Sequence, residues 1–403
     1  MELFWLEHKK LWRKKIVKIC VLLCFVYCVI FGSILSFQWF SFGSSDDYTS
    51  AFGNNFDGYT VIKDSQEYAL SFGGELTDET LQQIVSDYQQ MEADGMEEEL
   101  EKTDWQIVNS WLGTLYPELR DTSNYKTMIS YVDPDKLTGF YERRQQVLDE
   151  FLEVSGQVGA EKEFLHQIER KVEKPFHYEW VEGWSTLLGS MVADLGVVMA
   201  LFLGIVLSSL FAGEWRDNTS TLVLTTRNGW GKIALAKILT GFAFTVELFA
   251  LLAVSSVISQ LIFMGTAGWD MPIQNIKLIA VAPMNMLQAE IYEYAFVLLG
   301  AIGFAGIVMF ISAAVKNNVL TLLLSLAVVY GPMMIAEYLP YEMQKALDLI
   351  PLAGSSTDIF RTNTFRIFGK LIWSPYLLIT IPVLIGILCM PFAIKSWSRR
   401  MKA

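Results

Sequence analysis

Two carboxylic acids sit inside long apolar stretches of the chain, Asp194 within 186–213 and Glu247 within 238–264. Neither stretch contains a lysine or arginine that could neutralise them. A charge in hydrocarbon costs several kcal/mol unless it faces protein or water. The pair therefore reads in one of two ways. Either both acids line a wet pathway that accepts cationic groups, or both are protonated, hydrogen-bonded structural acids. At ~1.5 Å per helical residue, Asp194 lies roughly 10 Å from the start of its stretch, and Glu247 lies near the middle of the other.

Enzymatic chemistry finds little else to use. The three histidines are His8, His166 and His177, and no HExxH occurs, so a zinc protease has no ligand pair. No GxSxG is present. The stretch Gly229-Trp230-Gly231-Lys232 matches a fragment of a phosphate loop, but the full spacing is missing and Ile233 follows the lysine. No catalytic, metal or cofactor-binding residue is therefore expected, and any ATP must be held by a separate chain. Cys20, Cys24, Cys28 and Cys389 all fall in apolar runs, where they read as small helix residues and not as a disulfide framework.

The elements that position these residues follow from hydropathy. About 20 apolar residues cross a bilayer as a helix. Six runs meet this length: 19–42, 186–213, 238–264, 294–315, 319–336 and 371–394. The first is too long for a signal-peptide core and lacks a clear cleavage site, so it is expected to remain in the chain. Residues 1–18 carry Leu3, Phe4, Leu6, Leu11 and Trp12 among lysines, the pattern of a helix lying in the membrane interface with its bases on lipid phosphates. Gly300, Gly303 and Gly306 recur every third residue in the fourth run, which permits close helix packing.

Charge sets the orientation. Residues 43–185 hold 30 acids and 11 bases, a balance of −19, while the remainder holds 13 acids and 20 bases, a balance of +7. An acidic module does not suit nucleic acid. With the N-terminus inside, fifteen Lys and Arg fall in inner segments and five in short outer loops, namely Lys277, Lys345, Arg361, Arg366 and Lys370. The bias follows the positive-inside rule. It places both termini in the cytoplasm, 43–185 outside, and 214–237 as an inner segment.

The 43–185 insert reads as mainly helical after an extended start at 59–62 and 68–72. Leu81, Ile84, Val85, Tyr88 and Met91 recur at helical spacing behind Thr77, as do Trp105, Val108, Trp111, Leu112 and Leu115 up to Pro117. Pro134 is expected to open a further helix through Leu152, and Phe164 to Val172 another. The acidic run 97–101 reads as a solvated face.

The segment after the second run reads Phe211-Ala212-Gly213-Glu214, then Asn218-Thr219, Leu222, Leu224, Thr226-Arg227, and Lys237 at the head of the next run. This resembles the ABC-2 type of ATP-binding-cassette exporter permease, specifically Gram-positive members with a large external insert. Asn218 stands where glycine is commoner. The resemblance implies a permease subunit in the cytoplasmic membrane that moves an amphiphile such as a peptide, lipid or drug outward. It implies a coupling helix in 214–237 that docks on an ATPase subunit, with Glu214, Thr219, Arg227 and Lys237 in the family's positions. Trp215 and Arg216 join that contact surface. Two ATPase copies holding ATP and Mg²⁺, a second identical or similar permease, and membrane lipids are the implied partners. The rival expectation is a membrane-anchored sensor acting through the insert.

Overall fold

The structure is a computed structural model that describes residues 2–36, 66, 73–95, 105–121, 123, 126–219, 231–353 and 363–399. Expectations for 59–62, 68–72 and 97–101 fall outside these residues, as does the end of the first apolar run beyond residue 36.

The chain opens with α1 (Glu2–Arg13) and α2 (Lys15–Ser36). The acidic insert follows with β1 (Gly74–Leu76), α3 (Asp78–Ala93), α4 (Trp105–Leu115), α5 (Phe140–Val154), α6 (Ala160–Glu169) and β2 (Phe176–Tyr178). A short α7 (Glu182–Thr186) and a π turn (Leu187–Met191) lead into α8 (Val192–Arg216). Then come α9 (Lys232–Met264), α10 (Met286–Ala314), α11 (Asn318–Ile335), α12 (Tyr341–Leu347), the hairpin β3 (Thr364–Ile367) and β4 (Lys370–Trp373), and α13 (Ser374–Arg399). Among the described residues, five helices are long and apolar enough to cross a membrane: α8, α9, α10, α11 and α13. The architecture is that of an α-helical membrane protein.

Several boundaries differ from hydropathy: α8 covers Val192–Arg216 in place of 186–213, behind the π turn, and the last helix runs on to Arg399. The helix α9 starts at Lys232, not 238, because Lys237 is buried against carboxylates instead of ending the run. The helix α10 starts at Met286, not 294, behind an Asn285–Gln288 capping box. Glu290 and Glu293, which closed the apolar run in the sequence, are buried on it. Residues 371–373 belong to β4, so the last helix begins at Ser374.

The bundle core gathers Leu203, Leu207 and Phe211 of α8, Phe244 and Leu252 of α9, Phe304 and Val308 of α10, and Trp397 of α13. The glycine repeat is an internal contact. A Cβ on Gly303 would run into the Pro382 carbonyl oxygen, and one on Gly306 would lie 2.6 Å from Gly386 Cα. The backbones of α10 and α13 therefore touch.

In the insert, Thr77 caps α3 by accepting from the Thr80 N–H, and Leu81, Ile84 and Val85 face inward with Val108, Trp111 and Leu112. Pro134 opens only a 3₁₀ turn, Pro134–Lys136. The helix waits until Phe140, after Gly139 at φ 71°, because the Asp78 carboxylate accepts from the Gly139 and Phe140 N–H groups at 2.7 and 2.9 Å. The β1–β2 pairing, Gly74 opposite Tyr178, closes the insert on itself.

The insert is also pinned to the 265–285 connection between α9 and α10. Arg144, fully buried, donates to the Leu278 and Ala280 carbonyls at 2.7 and 3.1 Å and pairs with Glu169 at 2.6 Å. Trp111 Nε1 donates to the Asn275 carbonyl, and Trp184 Nε1 to that of Ala267. Without Arg144 the Leu278 carbonyl loses that donor, at about 1–3 kcal/mol, while Glu169 keeps Lys174 at 2.8 Å and the Ala280 carbonyl keeps Gln274 Nε2 at 3.0 Å. Arg144→Met is expected to lower thermal stability by that order in detergent-solubilised protein. It should also speed hydrogen exchange in 265–285. Unchanged melting and exchange would show that the contact carries no load.

Candidate functional site

Where α8 ends and α9 begins, the polypeptide passes through a short polar segment, and the charges flanking it are buried. Glu214 sits on the last turn of α8 at 5% exposure. Lys237, on the second turn of α9, is 1% exposed. Their charged atoms lie 2.8 Å apart. The chain turns at Asn218, whose φ is 54°, and this brings the Thr219 hydroxyl onto the second Glu214 oxygen. The Thr219 N–H donates to the Glu214 carbonyl at 3.0 Å.

The rest of the network comes from α1. Lys10 Nζ reaches Glu214 Oε1 at 2.5 Å, and Glu7 Oε2 meets Lys237 at 2.8 Å. Four charges thus alternate in sign, Glu7–Lys237–Glu214–Lys10, across three helices. Burial alone lowers the Lys10 pKa, but the Glu214 carboxylate more than offsets it and the value stands above 10.5. Lys14, just beyond α1, differs. Burial first, then the neighbouring charges of Lys237 and Lys10, bring its pKa down to about 8. Its Nζ donates to Ser209 Oγ at 3.0 Å.

Glu247 is reached by the same helix. Trp12 Nε1 donates to its Oε2 at 3.0 Å, and His8 Nε2 lies 3.2 Å from Oε1. The Trp12 ring packs edge-on to Phe244 at 5.7 Å. The cationic or polar partner that the apolar runs lack is thus supplied by α1. Asp194 lies on α8, and its side chain is outside the described ones.

Of the residues singled out in sequence, Glu214, Thr219 and Lys237 come together. Trp215 faces the other way. Its ring packs against Trp397 at 6.1 Å and carries Lys316 Nζ 4.5 Å above it. Arg216 is exposed and pairs with Asp217 at 2.9 Å. Arg227 and Trp230 lie outside the described residues. Sequence reasoning missed Glu7, His8, Lys10, Trp12 and Lys14 as members, having assigned the basic face of α1 to lipid phosphates. The available signal was an unmatched pair, an acid ending one apolar run and a lysine opening the next, beside an N-terminal helix rich in both charges.

Among the described residues no cluster of His, Cys, Asp and Glu could hold a metal ion. The network ties the end of α8 and the start of α9 to α1. No known protein family, curated protein or solved structure matches the chain.

Two outcomes follow from the geometry. Glu214→Gln removes a carboxylate shared by two ammonium groups and is expected to cost about 3–5 kcal/mol, whereas Lys10→Met, at a half-exposed position, should cost at most about 1 kcal/mol. Thermal melts of the two variants in one detergent make the comparison, and equal losses would refute the ranking. Lys14 should acylate with a midpoint near pH 8, well below the ordinary lysine value, as followed by mass spectrometry. Its folded pKa is depressed, so between about 8 and 10.5 the unfolded chain binds more protons and stability rises with pH. A Lys14 labelling midpoint at the ordinary lysine value would contradict this.

Proposed function

We propose that the chain is the membrane-spanning permease subunit of an ATP-driven exporter of the ABC-2 type, working with separate ATPase subunits. Six crossings complete the subunit when the uncharged stretch within α2 is counted with the five apolar helices. Both termini and the 217–231 segment then lie in the cytoplasm, and the acidic insert lies outside. The cargo is an amphiphile, and two permease copies enclose its path.

One observation carries this reading. Glu214, Lys237, Lys10 and Glu7 form a buried ionic foot where α8 ends and α9 begins, on either side of the polar 217–231 sequence. A stretch this polar is not tolerated in lipid, so it meets water at the membrane face. A foot that binds three helices converts a push on the segment into movement of α1, α8 and α9 together. A protein whose sequence holds no nucleotide-binding loop gains from such a handle only when a partner pushes it. The sensor alternative gives this foot no task.

The test is co-expression with ABC-type ATPases, beginning with one encoded beside this chain, and assay of the purified complex in nanodiscs. ATP hydrolysis should depend on the permease. The charge swap Glu214→Lys with Lys237→Glu, which preserves the pair but reverses it against Lys10 and Glu7, should cut coupled hydrolysis by about tenfold while the subunit still melts cooperatively. Retention of full coupled hydrolysis in the swap would remove the foot from the mechanism. Failure of every neighbouring ATPase to co-purify would sink the exporter reading itself.

A further inference from the structure

At the elbow between α1 and α2 the charges do not balance. Glu7, Glu214 and Asp217 lie where these helices meet the end of α8 and the start of α9, and each already has a base. Glu7 holds Lys237, Glu214 holds Lys237 and Lys10, and Asp217 holds Arg216. Lys14 is the base left over. It forms no ion pair among the described residues. Its Nζ ends on the Ser209 hydroxyl at 3.0 Å, and that hydroxyl donates its own proton to the Val206 carbonyl. An ammonium has three donors, so Lys14 has capacity for an acceptor that the chain does not supply.

Lys14 borders a small pocket with Lys10, Lys237, Glu7, Glu214 and Asp217. Its volume, about 30 Å³, admits one oxygen atom and not a whole ligand. The surplus is positive. Burial, then repulsion from Lys237 and Lys10, holds the Lys14 pKa down to about 8, and the Glu214 charge does not restore it. An anion reaching into the pocket would relieve that repulsion.

The place of the pocket says which anion. Lys14 precedes α2, and the uncharged apolar run opens at Ile19, roughly 7 Å further along at ~1.5 Å per residue. Ile16, Ile19, Leu22 and Leu23 are exposed, so this face of α2 has no protein cover and is left for lipid. Lys15 and Lys18 are exposed at the same level. Basic pockets between membrane helices take phospholipid head groups at this depth.

We propose that the α1–α2 elbow binds the phosphate of a membrane phospholipid, with one phosphate oxygen accepting from Lys14 Nζ. The bases of α1 and its elbow are then divided, Lys10 to the Glu214 carboxylate and Lys14 to lipid. The inference goes beyond the exporter reading and does not rest on it, because binding needs neither nucleotide nor a second chain.

Acylation of Lys14 in the full chain, followed by mass spectrometry, is the test. In nanodiscs of diglucosyl diacylglycerol, which has no phosphate, the midpoint should stay near pH 8. Doping with phosphatidylglycerol should raise it by about one pH unit, slowing labelling at the old midpoint about fivefold. Oleate at equal charge, an anion without phosphate, should move it less than half as far, which separates the pocket from general surface potential. Native mass spectrometry then counts bound lipid. Lys14→Met should weaken phosphatidylglycerol retention about tenfold, and Lys9→Met, at an exposed position of α1, less than twofold. Should Lys14→Met fail to melt cooperatively, the labelling midpoint of the unmodified chain decides alone. Three results would overturn the proposal: no shift with phosphatidylglycerol, an equal shift with oleate, or equal retention in the two variants. A shift produced only by inorganic phosphate would give the pocket to free phosphate, and one produced only by an added ATPase subunit to an acidic protein. Either would also remove lipid from the site.

Discussion

A carboxylate and an ammonium withdrawn from water must find each other, and at the foot of α8 and α9 that requirement organises the whole basic end of the bundle. Glu214 and Lys237 are both nearly inaccessible, and neither is tolerable alone in a medium of low dielectric. One pair would satisfy the charges. The structure uses two, and the extra partners Glu7 and Lys10 arrive on α1. The N-terminal helix is therefore fixed by ionic contacts, with Leu11 and Trp12 sealing its apolar side against the bundle. Its position is not left to lipid affinity.

The other end of the bundle is organised by the same logic in a different chemistry. Arg144 commits its guanidinium to two backbone carbonyls and Glu169, so the connection 265–285 has carbonyls satisfied by the insert. At a separate place, Thr364 donates to Gln157 and Arg366 pairs with Glu161, which bring the β3–β4 hairpin onto the insert as well. The insert thus bridges two connections that are far apart in sequence. A displacement of α9 or of α13 at this end is felt by α5 and α6.

Much of the bundle was legible because apolar length is a strong and local signal. The helices α8 to α11 and α13 stand where the runs predicted them, apart from their ends. Ends were misread wherever a charged residue continued a helix under cover of its surroundings, as Lys237 and Glu290 do. Hydropathy scores a residue by its own solvation and carries no knowledge of what it meets. The insert helices at Leu81 and Trp111 were legible by periodicity, while the delay from Pro134 to Phe140 was not, because Asp78 sets it from 61 residues away. In the candidate site, Glu214, Thr219 and Lys237 were singled out by a family resemblance as coupling positions, and their ionic contact with one another was not foreseen. The α1 members Lys10 and Glu7 are 204 and 230 residues from their partners, and no local pattern reports that.

The glycine seam between α10 and α13 has its own consequence. Where two backbones touch through Gly303, Gly306 and Gly386, no layer of side chains remains to slide or repack. That pair behaves as a single stiff beam. By contrast only 17% of the apolar stretch of α11 is buried, and it meets α8 through long side chains, with Leu322 and Leu326 filling the space beside Gly204. Any rocking of the bundle must be taken up along that softer leucine seam and not across the beam.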